Sequence, residues 1–240
     1  MVISVIIPTK NRLGLLQQCV ASLQQHLKAA HEIVVVDNGN DGSADWARAQ
    51  GLKAVVQSPL TFAQACNLGA QTAWGDWLLL CNNDIIVQSR IKVPTAEGIY
   101  GYRLLYPNGL IQHAGVGFDL KGNPYHLWHL APAATPEAMS GCVVAAVTFA
   151  FAFISRRLWD RLGGLDTAYI NSYEDTDFCL RAREIGCQIF YRHDAEVTHL
   201  TGQTEGRHDN VAASWAVFRQ RWVDTGRIYR ALGMWPFEMT

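Results

Sequence analysis

The sequence predicts an α/β protein built on a doubly wound, mostly parallel sheet, joined in its second half to a smaller mixed region. Three observations carry that prediction. Apolar runs alternate with segments of helical periodicity through residues 1–97. Those runs are apolar throughout, as in strands covered on both faces. Three of them end in clustered polar residues, at the carboxyl ends where such sheets bind ligands. A length of 240 residues and an apolar content of 49% suffice for one large domain, and no linker, internal repeat or low-complexity stretch divides the chain. The expected organisation is a single domain, 1–240, with halves at 1–97 and 98–240.

The elements follow in order. Residues 2–7 form a β-rich run closed by Pro8, and "NRLGLLQQCVASLQQHL" then sets Leu15, Leu16, Cys19, Leu23 and Leu27 at helical spacing. Residues 33–36 are a wholly apolar strand, 37–42 a turn, and Ser43 the cap of a short helix. "LKAVVQS" is a third strand, "FAQACNLGAQTAWG" a helix ended by Gly75, and "DWLLLCN" a fourth strand. The polar tips are "PTKNR", Asp37-Asn38 and Asn82-Asn83-Asp84. Beyond residue 98 the chain turns to short β-like pieces with Gly and Pro turns. An apolar run at 142–154 reads as one buried element, and the helix "SRRLWDRLGG" follows. A helix at 175–185 is closed by Gly186, "QIFYRHDAEVTHL" reads as a strand, and "VAASWAVFRQRWVDTG" is helical.

Composition narrows the function classes. A net charge of −1, from 20 basic and 21 acidic residues, supplies no electrostatic footprint for nucleic acid. The six cysteines are scattered with no C-x-x-C pair and are expected to be reduced core residues. The 13-residue run at 142–154 is shorter than the ~20 residues a membrane span needs. The chain starts directly in a strand without a basic leader, so a cytoplasmic location is expected.

Several residues are suited to chemistry. Asp84 and His199 offer a hard oxygen and an imidazole; Mn²⁺ accepts both, while Mg²⁺ prefers oxygens. A turn cap and a satisfied core histidine are the plainer alternatives. Glu174, Asp175 and Asp177 put three carboxylates at a helix start, where capping accounts for one or two and a general base for another. Asp37 suits either a plain turn or a contact to a ribose or base. His126, Trp128 and His129 lie in "GNPYHLWHL", which fits a sugar-facing surface or, more plainly, a packed loop.

Taken in order, "ISVIIPTKNR", "EIVVVDNGNDGS", "FAQACNLGAQTAWGDWLLLCNND", "GLIQHAGVGFD" and the stretch from "RRLWDRLGG" through "YEDTDF" to "VTHLTGQT" resemble the inverting family 2 glycosyltransferases of the glycosyltransferase A fold. The likeness covers roughly residues 2–222, with a flavour of bacterial rhamnosyltransferase-like polysaccharide-assembly enzymes. It implies a metal-dependent transfer of a sugar from a UDP- or dTDP-type donor to an acceptor hydroxyl of a glycan or glycolipid. By the same resemblance residues 1–97 hold the nucleotide-sugar and 98–240 the acceptor and catalytic groups. Asp84 and His199 would bind Mn²⁺ or Mg²⁺, with Asn82 a weaker partner where relatives carry a first Asp. Pro8, Thr9, Asn11, Arg12, Asp37, Asn67 and Asn83 would contact the nucleotide. Asp175 would be the catalytic base, and Glu174 and Asp177 would contact or orient the acceptor. Residues 215–222 resemble the family's closing helix, and the bulky "TFAFAFISRR" stands where many relatives carry smaller residues. No nucleic-acid partner or membrane span is expected, and peripheral membrane contact stays open. Two rivals remain: a nucleotidyltransferase acting on sugar phosphates, for which "PTKNRLG" is a poor phosphate loop, and a non-catalytic nucleotide- or carbohydrate-binding relative.

Overall fold

A computed structural model describes residues 1–200 and 210–233. Strand β1 (Ile3–Thr9) leads into α1 (Leu13–His26), followed by β2 (His31–Asp37), α2 (Ser43–Ala49), β3 (Lys53–Val56), α3 (Phe62–Thr72) and β4 (Trp77–Cys81). All pairings among these four strands are parallel. The second half supplies β5 (Ile85–Val87), β6 (Ile99–Tyr102), β7 (Leu104–Leu105), β8 (Ile111–His113), β9 (Val116–Phe118) and β10 (Pro124–His126). Then come β11 (Cys142–Val144), β12 (Phe151–Ser155), α4 (Arg156–Leu162), α5 (Glu174–Glu184), β13 (Ile189–Arg192), β14 (Val197–His199), α6 (Val211–Phe218) and α7 (Arg227–Ala231).

The main sheet has eight strands in the order β11-β13-β6-β12-β4-β1-β2-β3, with β12 running antiparallel between β4 and β6. Its strands alternate between two cores. Ile6, Leu78, Leu80, Ala152 and Ile154 pack on the face that carries Trp159 of α4 and Phe178 of α5. Val5, Ile7, Leu79, Phe151 and Phe153 pack on the face that carries Leu16, Cys19 and Leu23 of α1. Burial of both faces is what the uninterrupted apolar runs require. The chain moves outward from β1 to β2 and β3, then returns to place β4 on β1's other side. That reversal opens a crevice at the carboxyl ends of β1 and β4, and the three polar tips border it.

Local chemistry secures α3 at both ends. Thr61 and Gln64 form a reciprocal capping box at its start. At its end Arg156 donates to the carbonyls of Ala70, Ala73 and Gly75, so a cation from α4 meets the helix's negative terminus. Gly69 faces Ile6, and a methyl group there would collide with the Ile6 side chain.

Two expected elements divide differently. The apolar 142–154 run is not one core element: β11 is an edge strand with Cys142 and Val143 exposed, residues 145–150 are irregular, and only β12 is central. Apolar residues with a single pairing partner keep one side open. The strand expected over "QIFYRHDAEVTHL" breaks where Arg192 pairs with Asp194, which leaves β13 in the main sheet and sends β14 to a four-stranded sheet ordered β5-β14-β7-β8. Helix α5 begins at Glu174, and Gly186 closes it with φ of 82°. After α6 the backbone passes into a π-type turn, Arg219–Val223, so residues 215–222 are not one α-helix. All six cysteines are free, with Cys19, Cys66, Cys81 and Cys179 buried. Among the described residues no helix is long and apolar enough to cross a membrane.

Candidate active site

The crevice is a cleft of about 460 Å³, within the ~300–1,000 Å³ typical of small-molecule sites. Pro8, Thr9 and Lys10 of the first tip, Asn38 of the second, Asn82, Asn83 and Asp84 of the third, and Tyr173, Glu174 and Asp175 at the start of α5 all line it. All three polar tips contribute, because β1, β2 and β4 are neighbours and end together.

The first tip is braced by amides. Asn83 Nδ2 donates to Thr9 Oγ1 at 2.8 Å, which couples the ends of β1 and β4. Asn11 Oδ1 accepts from the Asn40 N–H at 2.9 Å, and Gly39 packs so closely on Asn11 that a Cβ would strike its backbone. Asn11 and Arg12 both adopt left-handed backbone, with φ of 62° and 67°. Neither lines the cleft: Asn11 supports it from beneath, and Arg12 is exposed at the start of α1. Asp37 is buried and closes the second tip, one oxygen accepting from Gly39 N and the other from Ala44 N. Asn38, which the sequence reading passed over, lines the cleft, and its amide binds the Leu60 backbone on both sides. Asn67 does not reach the cleft; its amide clamps the N–H and carbonyl of Leu165.

His199 is brought to Asp84 by strand register. Strand β14 pairs antiparallel with β5, which sets His199 opposite Ile85, one residue past Asp84. Its Nε2 lies 3.0 Å from Asp84 Oδ1 and 3.4 Å from Asn82 Nδ2, and its Nδ1 lies 2.6 Å from Gln112 Oε1. An amide oxygen only accepts, so Nδ1 carries a hydrogen, and in the neutral ring Nε2 presents a lone pair. A lone pair and a carboxylate oxygen held at 3.0 Å repel, so the pair calls for a proton or a bound cation between them. A buried partner that orients a histidine through its other nitrogen is also how metal-binding imidazoles are held. The donor set therefore fits a divalent cation. Among the described residues no third acidic, histidine or cysteine side chain joins the pair, so oxygens from a ligand would have to complete the shell.

The fourth contributor to the lining, α5, starts from two consecutive left-handed residues, Ser172 at φ 83° and Tyr173 at φ 71°. Non-glycine residues there cost of order 1–3 kcal/mol each and persist where the surroundings dictate them. The bend aims Asp175 at the cleft wall, where Oδ2 accepts from Phe149 N at 3.3 Å and Oδ1 from Thr176 N at 2.7 Å. Glu174 is buried beside it. Asp177 points the other way. Fully buried, it accepts from Tyr169 Oη, Trp222 Nε1, Arg221 Nη1 and Arg181 Nε. Burial works against the charge of Arg221, but its bonds to Asp166 and Asp177 outweigh that and hold its pKa above the usual value. Asp177 is therefore the anchor of α5 against the C-terminal helices.

Asp84 and Asp175 thus open on one cleft, with His199 behind Asp84. Sequence reasoning missed the cleft-lining Lys10, Asn38, Thr61 and Thr148. Lys10 and Asn38 sat in the flagged tips. Thr148 lay in an apolar stretch and offered no signal. The "TGQT" end of the resemblance lies outside the described residues.

Residues 4–96 match the family described as Glycosyl transferase family 2. The O-antigen biosynthesis protein RfbC of Myxococcus xanthus is 28% identical over 218 residues, which is 82% of this chain and 17% of that protein. GalNAc-T7, solved with UDP, GalNAc and Mn²⁺, superposes with a TM-score of 0.75 at 16% identity, over 95% of this chain and 50% of that one. The mannosyltransferase PcManGT of Pyrobaculum calidifontis, solved with GDP-Man and Mn²⁺, superposes at 0.61 and 18% identity, over 96% of this chain and 64% of that one. The mixed central sheet and its flanking helices are those of the glycosyltransferase A fold.

Proposed function

We propose that the protein, which has a glycosyltransferase A fold and whose residues 4–96 match the glycosyl transferase family 2 description, is a metal-dependent inverting glycosyltransferase. It moves a hexose from a UDP- or dTDP-sugar to a hydroxyl of a glycan or lipid-linked glycan. The observation that carries this reading is that Asp84, paired with His199, and Asp175 line one and the same cleft. Mn²⁺ complexes of two proteins with this fold support the choice of cofactor.

Asp84 and His199 would hold Mn²⁺ or Mg²⁺, with the Asn82 amide alongside, and the bound cation supplies charge compensation for the departing diphosphate. Thr9, Lys10, Asn38 and Asn83 line the end of the cleft assigned to the nucleotide. Pro8 adds an apolar surface there, and Asp37 and Asn11 hold that end in shape. Asp175 takes the proton from the acceptor hydroxyl on the face away from the nucleotide, which frees the oxygen to attack and inverts the anomeric centre. A base so placed contributes typically ~10²- to 10⁴-fold. The hydrogen bond from Phe149 N keeps the carboxylate oriented. Residues 1–97 form the donor half and 98–240 the acceptor half of one domain.

Calorimetry with UDP and dTDP, with and without Mn²⁺, tests the reading. Wild type should bind one nucleotide only when Mn²⁺ is present, and Asp84→Ala should lose that dependence. Equal affinity in both proteins would sink the assignment. Release of nucleoside diphosphate, rather than pyrophosphate, from the donor separates sugar transfer from nucleotidyl transfer.

A further inference from the structure

The segment that closes the cleft between its metal tip and its base has no regular structure of its own. Residues 145–150 join β11 to β12, and Thr148, Phe149 and Ala150 line the cleft. Outside a ladder, each backbone group of such a segment must find its own partner. The Ala150 carbonyl accepts from the N–H of Asn82, beside Asp84, and the Phe149 N–H donates to Asp175 Oδ2. The segment therefore ties the metal tip to the base. One residue further back, the Thr148 N–H donates at 3.3 Å to His113 Nε2, which also accepts from Gly115 N at 3.3 Å.

His113 is fully buried at the end of β8, next to the Gln112 that orients His199. An amide N–H only donates, so its Nε2 carries no hydrogen, and the neutral ring has its hydrogen on Nδ1. Burial pushes this imidazole well below its ordinary range, which keeps it an acceptor at pH 7. Consecutive amides of one segment thus go to a buried ring and to the carboxylate. We propose that His113 is a positioning residue for Asp175: by accepting from Thr148 it sets the following amide, of Phe149, against the carboxylate and so fixes how the base faces the acceptor hydroxyl. The role rests on the glycosyl-transfer reading. The ring takes no proton from substrate itself, because it is buried and its lone pair is already shared by two donors.

The test uses the whole chain and three variants. His113→Phe keeps a ring but accepts nothing, His113→Gln places a carbonyl oxygen about where Nε2 stands, and His113→Asn stops short of it. His113→Phe should lower kcat about 10²-fold, the scale of a small misplacement at a reacting centre, with donor KM and Mn²⁺-dependent nucleotide affinity unchanged. His113→Gln should recover most of that loss and His113→Asn should not. A role confined to stability predicts another split, a lower urea midpoint with the kcat of folded protein intact, and that result would overturn the proposal. So would a fall in nucleotide affinity as large as the fall in kcat. Long-range ¹H–¹⁵N spectra of the wild type at pH 7 should show His113 with hydrogen on Nδ1 alone, and an Nε2–H form would contradict the assignment. Should His113→Phe fail to fold, the spectrum and the contrast between Gln and Asn still decide, equal kcat in those two variants counting against it. A wild type inert toward every nucleotide sugar sinks the glycosyl-transfer reading itself, whereas undiminished kcat of His113→Phe in an active enzyme removes the positioning role alone.

Discussion

Asp175 and Asp177 sit two residues apart on α5 and do opposite work. Asp175 faces the cleft, whereas Asp177 has no exposure and receives four donors. Asp175→Asn should keep the fold and the nucleotide affinity while abolishing transfer, read by turnover alongside calorimetry; full turnover would remove Asp175 from the mechanism. Asp177→Asn breaks a buried ion pair, at a cost of roughly 3–5 kcal/mol. A urea midpoint unchanged from wild type would contradict that role. The three carboxylates were legible in the sequence as a group, but their division was not. Two residues along a helix turn a side chain through about 200°, and which one meets the cleft depends on the approach angle set by Ser172 and Tyr173. Positive φ at a serine and a tyrosine has no signature in composition or periodicity. The partner that orients His199 was equally hidden, because Gln112 lies 87 residues away.

At the scale of elements, the first half was readable because β1, β2 and β4 are continuous apolar runs buried on both faces, while β3 is a short edge strand with Val56 exposed. The second half was not, because its strands are two to five residues long and several lie in small sheets. Runs that short show no clear period, so β11, β12, β13 and β14 were merged or misjoined. The contact between α3 and β1 illustrates what a helix pattern conceals. Gly69 lies within α3, where replacement by alanine would gain about 1 kcal/mol of helix propensity. The added methyl would meet Ile6 and Val36, and overpacking costs typically ~1–3 kcal/mol. Gly69→Ala should therefore lower stability by roughly 1 kcal/mol in chemical denaturation, since the collision outweighs the propensity gain. A stabilised variant would mean that Ile6 can move aside.

For the molecule as a whole, part of the acid stability rests at the end of the sheet remote from the cleft. Burial pushes the Glu32 carboxyl up, but bonds from Lys53, Ser4 and the Trp74 N–H outweigh it, so its pKa lies below the ordinary 4.5. A carboxyl whose pKa is lowered on folding stabilises the fold fully above its unfolded value and ceases to do so as pH falls through the folded value. Denaturation midpoints should thus decline as pH drops below 4.5, and Glu32→Gln should flatten part of that decline. An unaltered slope in the variant would place the acid sensitivity elsewhere. The contribution should leave nucleotide binding at neutral pH untouched, because Glu32 joins β2 to the start of β1 and not to the cleft.

The short ladder between β5 and β14 bears on how this chain tolerates insertions. Only three residues of each strand pair, and side chains alternate faces at every step. One extra residue between positions 194 and 198 could be absorbed by the turn after β13 without disturbing the eight-stranded sheet. If the ladder slid instead, Thr198 would stand where His199 does, and a well-folded protein would have traded its imidazole for a hydroxyl. Homologues of differing length in this stretch are where lineages that gave up the cation should be sought.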